Sequence, residues 1–246
     1  MDKHFRFSAI LLAISFSMLS FTTSISASER KINMNQHWKF YHGCIANAEQ
    51  ASFNDSGWRV LDIPHDWSVE PLPVQREGIT IGPFSRMSIG GPDTGQTVGG
   101  EGWYRKELIL QPGDTDKILS LYFEGAYNQT EVWINGQKAC FNAYGYIPFR
   151  IDINKYCNAP GIPNTIAVKV INEGLNSRWY AGSGIYRHVW LIKTDKVHLD
   201  EWDTFVDASK VESRKATVNL HTILHNAHKG EAVSSLNVRI LSPQGA

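Results

Sequence analysis

Apolar side chains occupy every second position in three short segments, residues 117–124, 164–170 and 217–225. This period predicts β-strands with one buried face. Residues 129–134 and 186–192 are rich in aromatic and β-branched side chains and are also predicted strands. No long amphipathic helix pattern occurs after the amino-terminal segment. Many short strands separated by glycine and proline predict an all-β antiparallel sandwich or barrel.

Turn residues divide these predicted strands. Asn135-Gly136 separates two strand-like runs and is typical of a type I′ hairpin turn. Residues 47–58 and 71–101 lack a strand pattern and are predicted loops. The second is long and rich in glycine, proline and serine, and a loop of this length in a compact domain is usually functional or mobile. We expect its glycine-rich parts, residues 90–95 and 99–100, to lie at the surface near the side that faces the sugar.

The first 27 residues are predicted to be a signal peptide. Lys3, His4 and Arg6 precede an apolar run over residues 7–21, and small residues follow at 24–28. This order is that of a cleavable secretory signal, and the apolar run is short for a membrane span. We therefore expect a secreted or periplasmic protein, with a retained anchor as the alternative.

The overall charge gives no sign of an anionic partner. Lysine plus arginine and aspartate plus glutamate number 24 each, so the net charge is zero. Neither nucleic acid nor a membrane surface is predicted as a partner. Eight tryptophans and nine tyrosines supply residues for a core and for carbohydrate recognition.

Three cysteines show no metal-ligand spacing: Cys44, Cys140 and Cys157. An odd number leaves at least one thiol free in a secreted chain. We interpret all three as small buried apolar residues, and a Cys140–Cys157 disulfide is the alternative.

Four motifs follow one another along the chain: Pro64-His-Asp-Trp67, Gly102-Trp-Tyr-Arg105, Val132-Trp-Ile-Asn-Gly136 and Arg178-Trp-Tyr-Ala-Gly-Ser-Gly-Ile-Tyr-Arg187. Aromatic rings beside an arginine suit sugars, because a ring covers the C–H face of a pyranose and a guanidinium bridges its hydroxyls. In this order and spacing, the motifs resemble the N-terminal sugar-binding domain of family two glycoside hydrolases, the β-galactosidase and β-glucuronidase group. The resemblance covers about residues 38–191.

The resemblance implies a particular domain order. Residues 28–195 are expected to form a jelly-roll (galactose-binding-like) β-sandwich that binds sugar. A boundary near residues 194–198 precedes the start of an immunoglobulin-like sandwich at 196–246. Residues 197–205 and 217–225 are predicted to be the first strands of this second unit. Such a sandwich needs about 100 residues, so this second domain is expected to be incomplete in these 246 residues.

In this family the catalytic groups are two glutamates on a (β/α)8 barrel that follows the immunoglobulin-like domain. One donates a proton and the other attacks the anomeric carbon, which gives a retaining reaction. No convincing carboxylate pair is found in this sequence. We therefore predict no catalytic residue, no metal site and no cofactor here, and we predict that the chain alone is inactive.

The resemblance implies four substrate-binding residues: Asn172, Arg178, Trp179 and Asp66. Asn172 ends a predicted strand where the family often has Val-Asp-Asn, but this chain has Ile171 in place of the aspartate. The alternatives are an interface ion pair for Arg178 and interdomain packing for Trp179. For Asp66 the alternative is a turn-stabilising acceptor of backbone N–H groups.

The predicted function is that of the N-terminal part of a secreted β-galactosidase-like hydrolase of O-glycosyl bonds in carbohydrate metabolism. Its predicted partners are a β-linked oligosaccharide or glycoside and the catalytic barrel of the same polypeptide. A stand-alone, non-catalytic carbohydrate-binding module is the alternative from another class. β-Glucuronidase or β-mannosidase specificity stays open within the enzyme class.

Overall fold

The computed structural model describes residues 30–173, 181–242 and 244. The predicted signal peptide, residues 1–27, lies outside the described residues. The chain divides into two compact units, one over Ser28–Lys193 and another that begins at Thr194. Among the described residues, no helix is long and apolar enough to cross a membrane.

Fourteen strands form the framework of the described residues. In chain order they are β1 (Lys31–Asn33), β2 (Trp38–His42), β3 (Arg59–Leu61), β4 (Thr80–Ile81), β5 (Phe84–Ser85), β6 (Gly100–Ile109), β7 (Ile118–Phe123), β8 (Thr130–Ile134), β9 (Gln137–Asn142), β10 (Phe149–Asp152), β11 (Pro163–Asn172), β12 (Val189–Thr194), β13 (Val197–Val211) and β14 (Ala216–Asn226).

Two antiparallel sheets make up the larger unit. One has the order β1-β12-β7-β10 and the other β3-β2-β6-β11-β8-β9. Buried residues from both sheets form one continuous core, so the sheets pack face to face. Its largest fully buried side chains include Trp38, Tyr104, Phe123, Leu121, Ile166 and Val168. The predicted all-β jelly-roll sandwich is confirmed.

The centre of the six-stranded sheet is the long pair β6–β11. Its register runs from Pro163 opposite Ile109 to Asn172 opposite Gly100, so β11 ends at Asn172 as predicted. The predicted hairpin turn between β8 and β9 is also confirmed. Asn135 and Gly136 have φ values of 52° and 80°, the positive values that a type I′ turn requires.

Strand β7 is more buried than its sequence pattern predicts. Leu119, Leu121 and Phe123 face the core, but Ser120 and Tyr122 on the opposite face are buried as well. Polar and charged side chains cover that second face. Arg150 Nε donates to Ser120 Oγ at 2.8 Å, and Lys31 lies over the Tyr122 ring.

An ion pair attaches the predicted loop at residues 47–58 to the outer face of the six-stranded sheet. Arg105, which is buried, donates from Nε to Asp55 Oδ2 at 2.8 Å and from Nη1 to the Gln50 carbonyl at 3.0 Å. Burial alone raises the pKa of Asp55, but hydrogen bonds from Lys39 and Arg105 outweigh it and lower that pKa. The loop thereby encloses a second small core around Trp103.

The long predicted loop at residues 71–101 differs from its prediction in two respects. It contains the short hairpin β4–β5. Gly90, which precedes a 3-10 turn at Gly91–Thr94, and Thr94, which ends it, are buried, so the expected surface position of this glycine-rich part was wrong for these two residues. A Cβ on Gly90 would lie 2.1 Å from the Thr94 side chain and would clash with it. Glycine at position 90 therefore allows the turn to pack this closely.

The smaller unit contains the hairpin β13–β14. Its register shifts between Leu199 and Thr204 and again between Asp207 and Lys210. Both strands were predicted, at residues 197–205 and 217–225, and both are longer than predicted. One hairpin is compatible with many sandwiches, so the immunoglobulin-like assignment stays a prediction.

The cysteines require a correction. All three are free thiols, and Cys44 is exposed rather than buried. Cys140 and Cys157 are half-buried and pack against the main core. Burial raises the pKa of both thiols, that of Cys157 to about 11, so these two remain protonated at neutral pH.

Candidate functional site

Asp66 stabilises the backbone at one edge of the larger unit. Its Oδ1 accepts hydrogen bonds from Ser68 N at 2.9 Å and Ser183 N at 2.8 Å. The first bond caps a short 3-10 helix, Trp67–Val69. These bonds fit the turn-stabilising role for Asp66, and a sugar contact by this residue stays a prediction.

Two buried serines join the same segments. Ser68 Oγ lies 2.5 Å from Ser183 Oγ, and Trp67 N donates to the Ser183 carbonyl at 3.1 Å. His65 N donates to the Ile185 carbonyl at 2.8 Å. Residues 65–68 and 183–185 are therefore held together by backbone and side-chain bonds.

Asn172 completes this arrangement at the end of β11. Its Nδ2 donates to the Gly182 carbonyl at 2.9 Å and to Ser183 Oγ at 2.8 Å. Asp66, Ser68, Asn172 and Ser183, here called the clamp network, thus fix both ends of the connection formed by residues 173–181. The predicted sugar-binding residues Arg178 and Trp179 belong to that connection and lie outside the described residues.

A second polar network lies beneath the Pro64-His-Asp-Trp67 motif. His65 Nδ1 lies 2.7 Å from Tyr104 Oη, and His65 Nε2 lies 3.0 Å from Glu70 Oε1. Arg59 Nη2 donates to both oxygens of Glu70 at 2.8 Å. These bonds hold His65 in the framework of the larger unit.

Burial and hydrogen bonds together set the protonation of His65, Tyr104 and Glu70 in this second network. Burial lowers the pKa of His65 and outweighs the nearby Glu70 carboxylate. Burial also raises the pKa of Tyr104 well above its ordinary value. For Glu70, burial raises the pKa, but hydrogen bonds from Arg59 and His65 lower it by more. A neutral His65 beside an ionised Glu70 is therefore the resting state at neutral pH.

Glycines allow the backbone to approach the clamp network closely. A Cβ on Gly99 would lie 2.0 Å from the Asn172 carbonyl oxygen, and one on Gly102 would lie 2.5 Å from the Trp67 ring. The Gly99 carbonyl accepts bonds from Trp67 Nε1 at 3.1 Å and lies 3.0 Å from His42 Nε2. Glycine at these two positions is a requirement of packing.

A cavity of about 180 Å³ opens beside Asn172. Its lining comes from the segment 85–100 on one side and from Asn172, Glu173 and Ala181 on the other. Pockets that enclose drug-sized ligands measure about 300–1,000 Å³, so this cavity is too small to enclose a ligand of that size by itself. The long loop at residues 71–101 therefore borders the candidate site.

The structure brings Asp66 and Asn172 together through Ser183, which sequence reasoning did not single out. Ser68 was missed as well. Gly182-Ser-Gly184 stands out in the sequence as a turn, but two of its contacts, Asp66 and Ser68, lie more than 100 positions away. The close approach of Gly99 to Asn172 was also missed.

Metal-ligating side chains come together in the smaller unit. Asp200, Asp203 and His225 place one possible ligand atom each within 4.8 Å of one another. His225 Nε2 lies 2.5 Å from Asp203 Oδ2, and this direct pair accounts for the proximity. We assign no metal to these residues.

Comparison with known proteins links the larger unit to a family. The model of glycosyl hydrolases family 2, sugar binding domain, matches residues 34–195. The chain is 39% identical over 222 residues to the beta-galactosidase BoGH2A of Bacteroides ovatus, which covers 90% of this chain and 24% of that protein. It is 34% identical over 221 residues to a putative beta-glucuronidase of Formosa agariphila, with coverages of 89% and 20%.

A solved structure links the chain to the same family. A glycosyl hydrolase family 2 member from Bacteroides cellulosilyticus is 39% identical and aligns with a TM-score of 0.74 over 79% of this chain and 24% of that one. The chain thus spans about a quarter or less of the length of these relatives. The resemblance seen in the sequence motifs is confirmed: the chain belongs to glycosyl hydrolase family 2 and carries the sugar-binding domain of that family.

Proposed function

We propose that this chain is the sugar-binding, N-terminal part of a β-galactosidase-like enzyme that hydrolyses O-glycosyl bonds in carbohydrate metabolism. The match of the family's sugar-binding domain to residues 34–195 carries this proposal. Galactoside specificity is favoured because the β-galactosidase relative is 39% identical, against 34% for the putative β-glucuronidase. β-Glucuronidase and β-mannosidase activity are the rival specificities.

The proposed contribution of the chain is one wall of the sugar site. The clamp network fixes Asn172 and Gly182, the two ends of the connection that contains Arg178 and Trp179. A tryptophan ring supplies an apolar face for the sugar, and a guanidinium supplies a rigid fork of donors. Asp66 would act as a positioning residue, since two backbone N–H groups occupy its Oδ1.

The proposed partner is a catalytic barrel of the same polypeptide, which would supply the two carboxyl groups of a retaining glycosidase. The smaller unit would begin an immunoglobulin-like domain between the two. We also propose that the protein is secreted or periplasmic, on the strength of the charged and apolar order of residues 1–27.

A chimera tests the proposal. Residues 30–242 replace the matching segment of the Bacteroides ovatus β-galactosidase, and hydrolysis of an aryl β-galactoside is measured for the chimera and for the chain alone. We expect turnover by the chimera and none by the chain, because losing a catalytic carboxyl costs many orders of magnitude in rate. Turnover by the chain alone would contradict the assignment of catalysis to a barrel.

Within the active chimera, Arg178→Ala should lower kcat/KM for the galactoside and leave the melting temperature nearly unchanged. Hydrogen bonds to a charged group contribute about 1.5–3 kcal/mol, which corresponds to a loss of roughly 10- to 150-fold. Arg214→Ala is the matched control, since Arg214 is exposed between β13 and β14. A lower melting temperature with unchanged kcat/KM would assign Arg178 to an interface ion pair instead.

A stand-alone carbohydrate-binding module is the second candidate function. Its support is that the sugar-binding unit has its own continuous core, which a free-standing domain needs. An inactive but folded chimera, together with tight saccharide binding by the chain alone, would favour this candidate.

A further inference from the structure

Three tyrosines outside the motifs discussed above lie together on the larger unit. The ring centroids of Tyr127 and Tyr146 are 5.1 Å apart, and those of Tyr144 and Tyr146 are 5.6 Å apart. Tyr127 is buried, whereas Tyr144 and Tyr146 are 56% and 48% exposed. Tyr127, Tyr144 and Tyr146 are called the tyrosine cluster below.

The loop that carries the two exposed rings is held in place from three sides. Asn142, which is buried, donates from Nδ2 to the Tyr144 carbonyl at 2.9 Å. Tyr186 Oη donates to the Gly145 carbonyl at 2.8 Å. A Cβ on Gly145 would lie 2.2 Å from Cδ2 of Tyr127, so only glycine lets the loop rest on that ring. A surface fixed before binding loses less entropy when a ligand arrives.

The tyrosine cluster and the clamp network share one edge of the sandwich. Tyr127 and Gly184 exchange backbone hydrogen bonds of 2.9 Å in both directions, and Gly184 directly follows Ser183. The Asn128 carbonyl accepts from Ile171 N at 3.1 Å, one residue before Asn172. The tyrosine cluster is therefore attached to both ends of the connection that the clamp network holds.

The chemistry of the tyrosine cluster suits a pyranose. A ring face covers the apolar C–H patch of a sugar, while phenolic hydroxyls donate to and accept from its hydroxyls. Two rings set at 68° to each other present a corner rather than a flat plane, which suits one sugar unit better than an extended flat chain.

We propose that Tyr144 and Tyr146 form a stacking subsite for one pyranose unit of a β-linked saccharide, with Tyr127 beneath them as support. This inference takes its ligand, a saccharide, from the proposed function. It adds a subsite whose three tyrosines all lie among the residues that the structure describes. It requires no barrel, so the chain alone should bind saccharide weakly, with a Kd in the millimolar range.

Saturation-transfer NMR on the purified chain tests this subsite. The probes are lactose, which carries a β-linked galactose, and methyl β-D-galactopyranoside. We expect saturation transfer to the C–H groups on one face of a sugar ring. Tyr144→Ala and Tyr146→Ala should each weaken lactose binding at least fivefold. Both side chains are about half exposed, so both variants should stay folded at the temperature of the binding measurement, which their melting curves check.

Two further variants make the test specific. Phe141→Ala is the matched control, because Phe141 is 54% exposed on the neighbouring strand β9 but packs under Lys138. It should leave lactose binding unchanged. Tyr144→Phe keeps the ring and removes the hydroxyl, so it should retain more affinity than Tyr144→Ala.

Three results would contradict the proposed subsite. The first is no saturation transfer at tens of millimolar lactose, and the second is equal lactose affinity in the wild type and both alanine variants. The third is a loss of lactose affinity in Phe141→Ala as large as in the tyrosine variants. If the alanine variants bind lactose normally yet prevent assembly of the active chimera, the tyrosine cluster packs against another domain instead. Because the NMR test measures binding by the chain alone and the chimera measures hydrolysis, the two proposals fail independently.

Discussion

The clamp network and the tyrosine cluster lie at the same edge of the sandwich, but their side chains are used in opposite ways. In the clamp network, Asp66, Asn172 and Ser183 direct their polar atoms at one another and at the backbone. In the tyrosine cluster, Tyr144 and Tyr146 expose about half of their surface. The described part of the Pro64-His-Asp-Trp67 motif therefore belongs to the framework, whereas the less conspicuous Tyr144-Gly-Tyr146 presents exposed rings to a ligand.

The strongest test of this contrast is Gly99→Ala. The new Cβ would lie 2.0 Å from the Asn172 carbonyl oxygen, which is backbone and cannot rotate away. We expect the free energy of unfolding to fall by about 3 kcal/mol, the upper part of the range for overpacking. Urea unfolding of the purified chain measures this change.

Gly57→Ala is the matched control for that substitution. A Cβ on Gly57 would meet no atom within 4 Å. Its effect on stability should be within about 1 kcal/mol and can be favourable, because alanine restricts the unfolded chain. Equal losses in the two variants would mean that the approach of Gly99 to Asn172 is not what holds this edge together.

Asp66→Ala should have the next largest effect. It leaves the backbone N–H groups of Ser68 and Ser183 without their carboxylate acceptor. We expect a loss of about 2–3 kcal/mol in the free energy of unfolding, as for hydrogen bonds to a charged group. Lactose binding by the remaining folded chain should be unchanged, which saturation-transfer NMR can check.

The result that would reverse this interpretation is a stable Asp66→Ala chain that no longer binds lactose. Asp66 would then be a sugar acceptor, and the clamp network would belong to the binding surface. Asp66→Asn refines the test, because it keeps an acceptor oxygen and removes the charge.

The smallest expected effect is a pH dependence through His65. Burial lowers its pKa below the ordinary value of 6.5, so the folded chain binds fewer protons than the unfolded chain between the two pKa values. The contribution to stability is complete above about pH 6.5 and is lost as the pH falls through the lowered pKa. The melting temperature should therefore be lower at pH 5.5 than at pH 7.5.

Differential scanning calorimetry of the wild type and His65→Gln isolates this contribution. A loss of 1 kcal/mol lowers the melting temperature of a domain of 150–250 residues by about 2–4 °C, which is measurable. Glu70, whose pKa is lowered from 4.5, stays ionised across this range and does not interfere. An identical pH response in the two proteins would show that His65 does not titrate in this window.

The sequence predicted those parts of the fold whose pattern is local. Strand β11 alternates along its length, and Asn135-Gly136 specifies its turn through its own backbone preferences. Alternation over residues 217–225 also predicted strand β14, but its expected buried face is not buried, since Val218 and Leu224 are 47% and 42% exposed. The burial of Gly90 and Thr94 was not predictable, because a glycine-rich segment has no apolar period. The Ser68–Ser183 contact joins residues 115 positions apart, and a single serine carries no signal of its partner.

The bonds from Asn172 to Gly182 and Ser183 have a consequence for how this protein can evolve. Asn172 and Gly182 are hydrogen-bonded to each other at the two ends of this segment, so the sequence between them can change without loss of that bond. Doubling the length of such a segment costs only about 0.6 kcal/mol in loop-closure entropy. Selection for a different saccharide can therefore change the sequence or the length between residues 172 and 182 without removing the hydrogen bonds that Asn172 makes to Gly182 and Ser183.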